Sequence, residues 1–175
     1  MKKRRALQSI FRGFRCCHDW RGGAEKVYQH AVHYGLLKEN RISSSIEENK
    51  ALIRRFFNAI ESGNLQVLDE IVTEDYDDHL AGQTPGRETV KKYFAGLRSA
   101  FPDLALPITA IVAEGDRVAV LNSVRGTHKG EFIGLGPTGR RIDAMAFQLY
   151  RIENGRLAEH WEVADLALLM RQLQG

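Results

Sequence analysis

The sequence predicts an α+β domain, with about three N-terminal helices packed on one face of a curved antiparallel sheet. Two patterns carry this. Between positions 45 and 101 apolar residues recur three or four apart, the spacing of amphipathic helices. After Pro102 the period changes to the alternating, Val- and Ile-rich pattern of strands. Helices followed by a run of strands is the order of an α+β fold. A third observation sets the boundary. Residues 1–42 hold ten Lys/Arg against three Asp/Glu, whereas the remaining chain holds 15 against 19. The basic character therefore belongs to an arm, residues 1–44, and the domain occupies residues 45–175.

The arm carries the cluster Lys2–Arg5 followed by Ile10, Phe11 and Phe14. It reads as a poorly ordered extension, with a weak membrane-surface or nucleic-acid contact as the functional alternative. Weak helical spacing over Ala24–Lys38 predicts a short, loosely docked helix. The organised chain begins at Ser45-Ile-Glu-Glu48, which fits a capping box with Ser45 as N-cap. Ile46, Ile53, Phe56, Phe57 and Ile60 then mark the buried stripe of the first helix, and Gly63 stops it. Asn64 caps a short second helix carrying Leu65, Leu68 and Ile71. Thr84-Pro85 reads as N-cap and first-turn proline of a third helix, with Val90, Tyr93 or Phe94, Leu97 and Phe101 on its stripe. Strands are expected over Leu104–Ala113, Val118–His128, Arg141–Ile152 and Leu157–Ala164, and a helix or turn over Leu166–Leu173.

The last two strands form a hairpin around Glu153-Asn154-Gly155. A three-residue connection pairs Ile152 with Arg156, Gln148 with His160 and Ala146 with Glu162. Side chains alternate across a strand, so Ala144, Ala146, Gln148, Tyr150, Ala158, His160 and Glu162 share one face. Small residues leave room there and polar groups converge, as in a concave ligand site. The other face carries Met145, Phe147, Leu149, Leu157, Trp161 and Val163. It is too bulky and apolar to stay in water, which predicts a two-fold dimer through the sheet.

Composition excludes several classes. The domain is acidic, so the chain is not read as a nucleic-acid binder. No apolar run reaches the ~20 residues that span a bilayer. The only cysteines are adjacent, Cys16 and Cys17, which makes a poor staple, and a cytoplasmic location is the default. His79, His128 and His160 lack metal-ligand spacing, no serine sits in a nucleophile elbow, and the loop Gly134–Gly139 does not open a helix as a phosphate cradle would. No metal or organic cofactor is expected. His128, in the Thr127–Gly130 turn, reads as a structural hydrogen-bonding group.

Seven motifs occur in register: Asp78-His79, Phe101-Pro102-Asp103-Leu104, Glu114–Val118, Gly126–Phe132, Gly136-Pro137-Thr138-Gly139, Glu153-Asn154-Gly155-Arg156 and Glu159-His160-Trp161-Glu162. Over about Glu47–Gly175 the chain resembles the SnoaL-like polyketide cyclases, or ester cyclases, within the nuclear-transport-factor-2-like fold. The resemblance implies a cone enclosing a mostly apolar pocket. It implies cofactor-free acid/base chemistry on a hydrophobic oxygenated substrate: ring closure by intramolecular aldol condensation, or a related isomerisation or hydration. Glu162 stands where those enzymes carry their catalytic aspartate, and Gln148 where they carry an assisting histidine. The first exchange keeps the carboxyl and moves it by one methylene. The second keeps hydrogen bonding and loses a titratable group. His79 matches a histidine near the pocket mouth, and with His160, Ala146 and Tyr150 completes the expected substrate contacts. From the residues alone, Glu162 also reads as a surface glutamate paired with an arginine or His160, and His79 as a loop histidine beside Asp77 and Asp78. The alternative function is a non-catalytic small-ligand-binding domain of the same fold.

Overall fold

A computed structural model of the chain describes residues 39–80 and 84–175. The expected helix over Ala24–Lys38, the basic cluster and the cysteine pair lie outside them. Residues Ile42–Gly175 form one compact unit.

Helix α1 spans Glu39–Ser62. It starts ahead of the boundary expected at residue 44, so Ser45 lies inside the helix and is not its N-cap. A Ser-x-x-Glu pattern marks a start only where the preceding residues cannot continue the turn, and Glu39–Arg41 can. The stripe of Ile53, Phe56, Phe57 and Ile60 is buried as expected. Gly63, at φ 76°, ends the helix. The Arg98 guanidinium donates to the Ile60 and Glu61 carbonyls at that end, where unpaired carbonyls and the helix dipole favour a cation.

Asn64 makes no side-chain cap; a 3₁₀ turn, Leu65–Val67, leads into the single-turn helix α2, Leu68–Ile71. Strand β1, Val72–Asp78, follows. Helix α3 runs Arg87–Ala100, two residues later than Thr84-Pro85 suggests. Gly86 delays it: its φ of 123° is not helical, and its N–H is donated to the Tyr76 carbonyl at 2.7 Å.

Four antiparallel strands form as expected: β2 (Ile108–Glu114), β3 (Arg117–Thr127), β4 (Arg141–Glu153) and β5 (Arg156–Ala164). Strand β2 starts four residues late because Pro107 has no N–H for the ladder; Ala105 instead bridges Arg125 alone. The sheet order is β1-β5-β4-β3-β2, and β1 pairs parallel to β5. The sheet is therefore mixed, with a fifth strand that the sequence reading lacked. Helix α4, Leu166–Gln174, is capped by the Asp165 carboxylate, which accepts from the Leu168 N–H. Among the described residues no helix is long and apolar enough to cross a membrane.

The β4–β5 register differs from the expected one. Asn154 and Gly155, at φ 50° and 74°, make a two-residue turn that pairs Glu153 with Arg156 and Ile152 with Leu157. The register then shifts between Arg151 and Ile152, because Ala158 is an extra, bulged residue. Beyond the bulge Tyr150 faces His160, Gln148 faces Glu162 and Ala146 faces Ala164. The expected partners are thus displaced by two residues, and a shift of two preserves the faces. Leu157 is the exception. It precedes the bulge and is fully buried in the core, not on the outer face.

Candidate functional site

The inner face of the sheet carries a buried polar group around Gln148. Asn122, Gln148 and His160 are 0%, 7% and 5% exposed, and each meets its partners through strand geometry. Asn122 of β3 faces Ala146, one alternation along from Gln148. The Gln148 Nε2 donates to Asn122 Oδ1 at 3.0 Å, and the Tyr150 hydroxyl donates to Gln148 Oε1. The amide is thereby fixed, nitrogen toward β3 and oxygen toward Tyr150. Tyr150 is buried and stacks on the His160 ring, centroids 4.7 Å apart.

His160 is tied to β1. Asp78 and His160 are register partners on the parallel pair, and His160 Nδ1 lies 3.2 Å from Asp78 Oδ1, within hydrogen-bond distance. The same carboxylate oxygen accepts from the Leu80 N–H. The far nitrogen, Nε2, is buried without a hydrogen-bond partner among the described residues.

Glu162 lies directly across from Gln148 on the inner face. It is half-buried, and among the described residues it has no hydrogen bond or ion pair. Burial raises its carboxyl pKa; His160 opposes that shift and the Asp78 carboxylate adds to it. The phenols of Tyr76 and Tyr150 are raised well above their ordinary value, chiefly by burial, with Asp78 and Glu162 contributing. Tyr93 of α3 is pushed up to about 12 by burial, then by Glu162 and Asp78. Three tyrosines thus remain neutral hydrogen-bonding groups around two carboxylates.

Of the six residues expected at the site, the structure gathers Glu162, Gln148, His160, Tyr150 and Ala146 on one face. His79 is not among them. It stacks on Trp161 at 4.4 Å and 6° on the outer face, and its Nε2 lies 3.3 Å from Glu159 and 3.7 Å from Asp77. The alternation that turns Asp78 inward turns His79 outward. His128 is buried, and its Nδ1 accepts from the Thr138 N–H at 3.3 Å, the structural role expected of it. Sequence reasoning left out Asn122, Tyr76, Tyr93 and Asp78. Asn122 had a visible signal, a lone amide on the buried face of an apolar strand. Among the described residues no three His, Cys, Asp or Glu side chains are grouped to hold a metal ion. A depression of about 240 Å³ lined by Arg54, Phe57, Glu61 and Leu106, and another at the start of α3, both lie away from Glu162.

A sheet with helices on its inner face and a carboxyl-bearing polar group between them defines a domain of the nuclear-transport-factor-2-like kind. The chain belongs to the SnoaL-like polyketide cyclase family, whose description matches residues 51–173. It is 31% identical over 120 residues to the nogalonic acid methyl ester cyclase of Streptomyces nogalater, covering 66% of this chain and 89% of that one. It is 27% identical over 127 residues to the aklanonic acid methyl ester cyclase of Streptomyces sp. strain C5, covering 70% and 79%. Among solved structures, TsrD of Streptomyces laurentii superposes with a TM-score of 0.69 at 28% identity, covering 73% of this chain and 95% of that one.

Proposed function

We propose that the protein is a cofactor-free cyclase that closes a ring in a hydrophobic, oxygenated ester by intramolecular aldol condensation, with Glu162 carrying the proton. The observation that supports this most is the state of Glu162: half-buried, unpaired among the described residues and raised in pKa by burial. A carboxylate so placed is a stronger base than one in water, and its acid form a usable donor near neutral pH. It removes a proton from the carbon between two carbonyl groups, and the enolate carbon attacks the acceptor carbonyl. The protonated Glu162 then returns the proton to the new alkoxide. One carboxyl serves both steps and ends in its starting state.

Gln148 takes a positioning role in this reading. Its amide oxygen is occupied by Tyr150 and one N–H by Asn122, which leaves the second N–H, opposite Glu162, to donate to a substrate oxygen. Glu162 and Tyr93 are the more exposed members of the group, so ligand enters on their side. His160, Ala146 and Tyr150 line the inner wall. His79 belongs to the outer face and is left out. The relatives act on methyl esters, and nogalonic acid methyl ester and aklanonic acid methyl ester are the substrates to assay; cyclised product above the uncatalysed rate supports the reading. Binding without turnover of either would favour the ligand-binding alternative. We further propose a two-fold dimer through the outer face, and a cytoplasmic location.

A further inference from the structure

We propose that Asp78 is a positioning residue that holds His160 in a single tautomer, leaving the Nε2 lone pair as a buried acceptor for a ligand hydroxyl. This rests on the cyclase reading for its substrate and on geometry alone for the tautomer. A carboxylate only accepts hydrogen bonds, so the contact of 3.2 Å between Asp78 Oδ1 and His160 Nδ1 requires the proton on Nδ1. In the neutral ring Nε2 is then unprotonated. Three contacts fix the ring: the Asp78 bond, the stack on Tyr150, and the backbone bond from the His79 N–H to the His160 carbonyl at 2.9 Å.

Nε2 is at the outer end of a ring standing on the inner face, on the side away from β1. It is shielded from water and has no partner among the described residues. A buried polar atom left so is uncommon and has a cost that a ligand can relieve. The neighbouring groups do not serve it. The Tyr150 hydroxyl is committed to Gln148, and Glu162 as carboxylate offers no proton. The complement of this atom is an O–H donor on an otherwise apolar molecule, a phenol or enol. Glu162, two residues along the same strand, would work on a carbon of the same molecule. His160 thus reads the ligand's hydroxyl pattern, and Asp78 sets which hydrogen-bond character it reads with.

The test uses the full chain labelled with ¹⁵N-histidine and long-range ¹H–¹⁵N correlation above pH 7. The His160 signals are assigned by their loss in His160→Gln. The expected result is the Nδ1–H tautomer in the wild type and a shift toward Nε2–H in Asp78→Ala. Saturating 1-naphthol, a probe with one phenolic hydroxyl, should move the wild-type Nε2 resonance upfield, and naphthalene should not. An Nε2–H tautomer in the wild type overturns the proposal even if Asp78→Ala fails to fold. An unchanged tautomer in a folded Asp78→Ala, or an Nε2 resonance unmoved by 1-naphthol, overturns it as well. None of these readouts needs turnover, so inactivity toward both methyl esters would remove the cyclase reading and leave this result standing.

Discussion

Gln148 and Glu162 face each other across β4 and β5 only because Ala158 is bulged. The turn pairs Ile152 with Leu157, and continuing that register would put Gln148 opposite Trp161. One extra residue restores the parity that keeps both polar side chains on the inner face.

Deletion of Ala158 should leave Gln148 opposite Glu162. It removes only the extra residue, so Ile152 stays paired with Leu157 and Arg151 with Glu159, and the same side chains stay on the inner face. The expected outcome is a retained cooperative thermal transition, followed by circular dichroism. Loss of that transition would show that the bulge itself, and not only the register beyond it, is required.

Tyr150→Phe tests the buried chain. It leaves Gln148 Oε1 without its donor in a site shielded from water. Removing one partner of a buried hydrogen bond costs about 1–3 kcal/mol, and denaturant unfolding should show a loss in that range. An unchanged midpoint would mean that the hydroxyl bond contributes nothing to stability.

The raised pKa of Glu162 gives stability a pH signature. Its ordinary value is 4.5 and its folded value lies above it, so between the two the native state binds more protons than the unfolded one. The contribution of this group then falls as pH rises through that window. Glu162→Gln removes the effect. The variant should match the wild type near pH 4 and become the more stable of the two toward pH 7, by differential scanning calorimetry. Subtracting the two curves removes shared contributions from other carboxylates. A variant that is less stable at pH 7 would show that the carboxylate is held by a favourable partner.

On the outer face, Met145, Phe147 and Val163 are 60%, 51% and 74% exposed. Sedimentation equilibrium should give a dimer for the wild type and a monomer for Met145→Lys/Phe147→Lys. A concentration-independent monomer mass for the wild type would remove the dimer.

Much of this was legible in the residues, and the gaps have physical causes. The helical stripes of α1 and α3 and the four long strands follow from periodicity, since each has one buried face. β1 was not legible. Val72-Thr-Glu-Asp-Tyr-Asp-Asp78 buries only Val72 and Tyr76, too few apolar positions to show alternation, and its partner is remote in sequence. Asp78 was missed with it, because its role comes from the parallel register with His160. The hairpin turn was misread although Asn154-Gly155 is a strong two-residue signal. The inner face survived because the bulge added a compensating shift that no local pattern announces. His79 was misplaced because a motif gives a position in sequence, whereas its side of the sheet follows from strand parity.

The central claim is that Glu162 moves the proton. Glu162→Gln keeps size and hydrogen bonding and removes proton transfer, a step worth roughly 10²- to 10⁴-fold in rate. With nogalonic acid methyl ester or aklanonic acid methyl ester, kcat should fall by that factor while the affinity for the ester, measured by direct titration, stays within a few-fold of the wild type. Full turnover by Glu162→Gln would contradict the account.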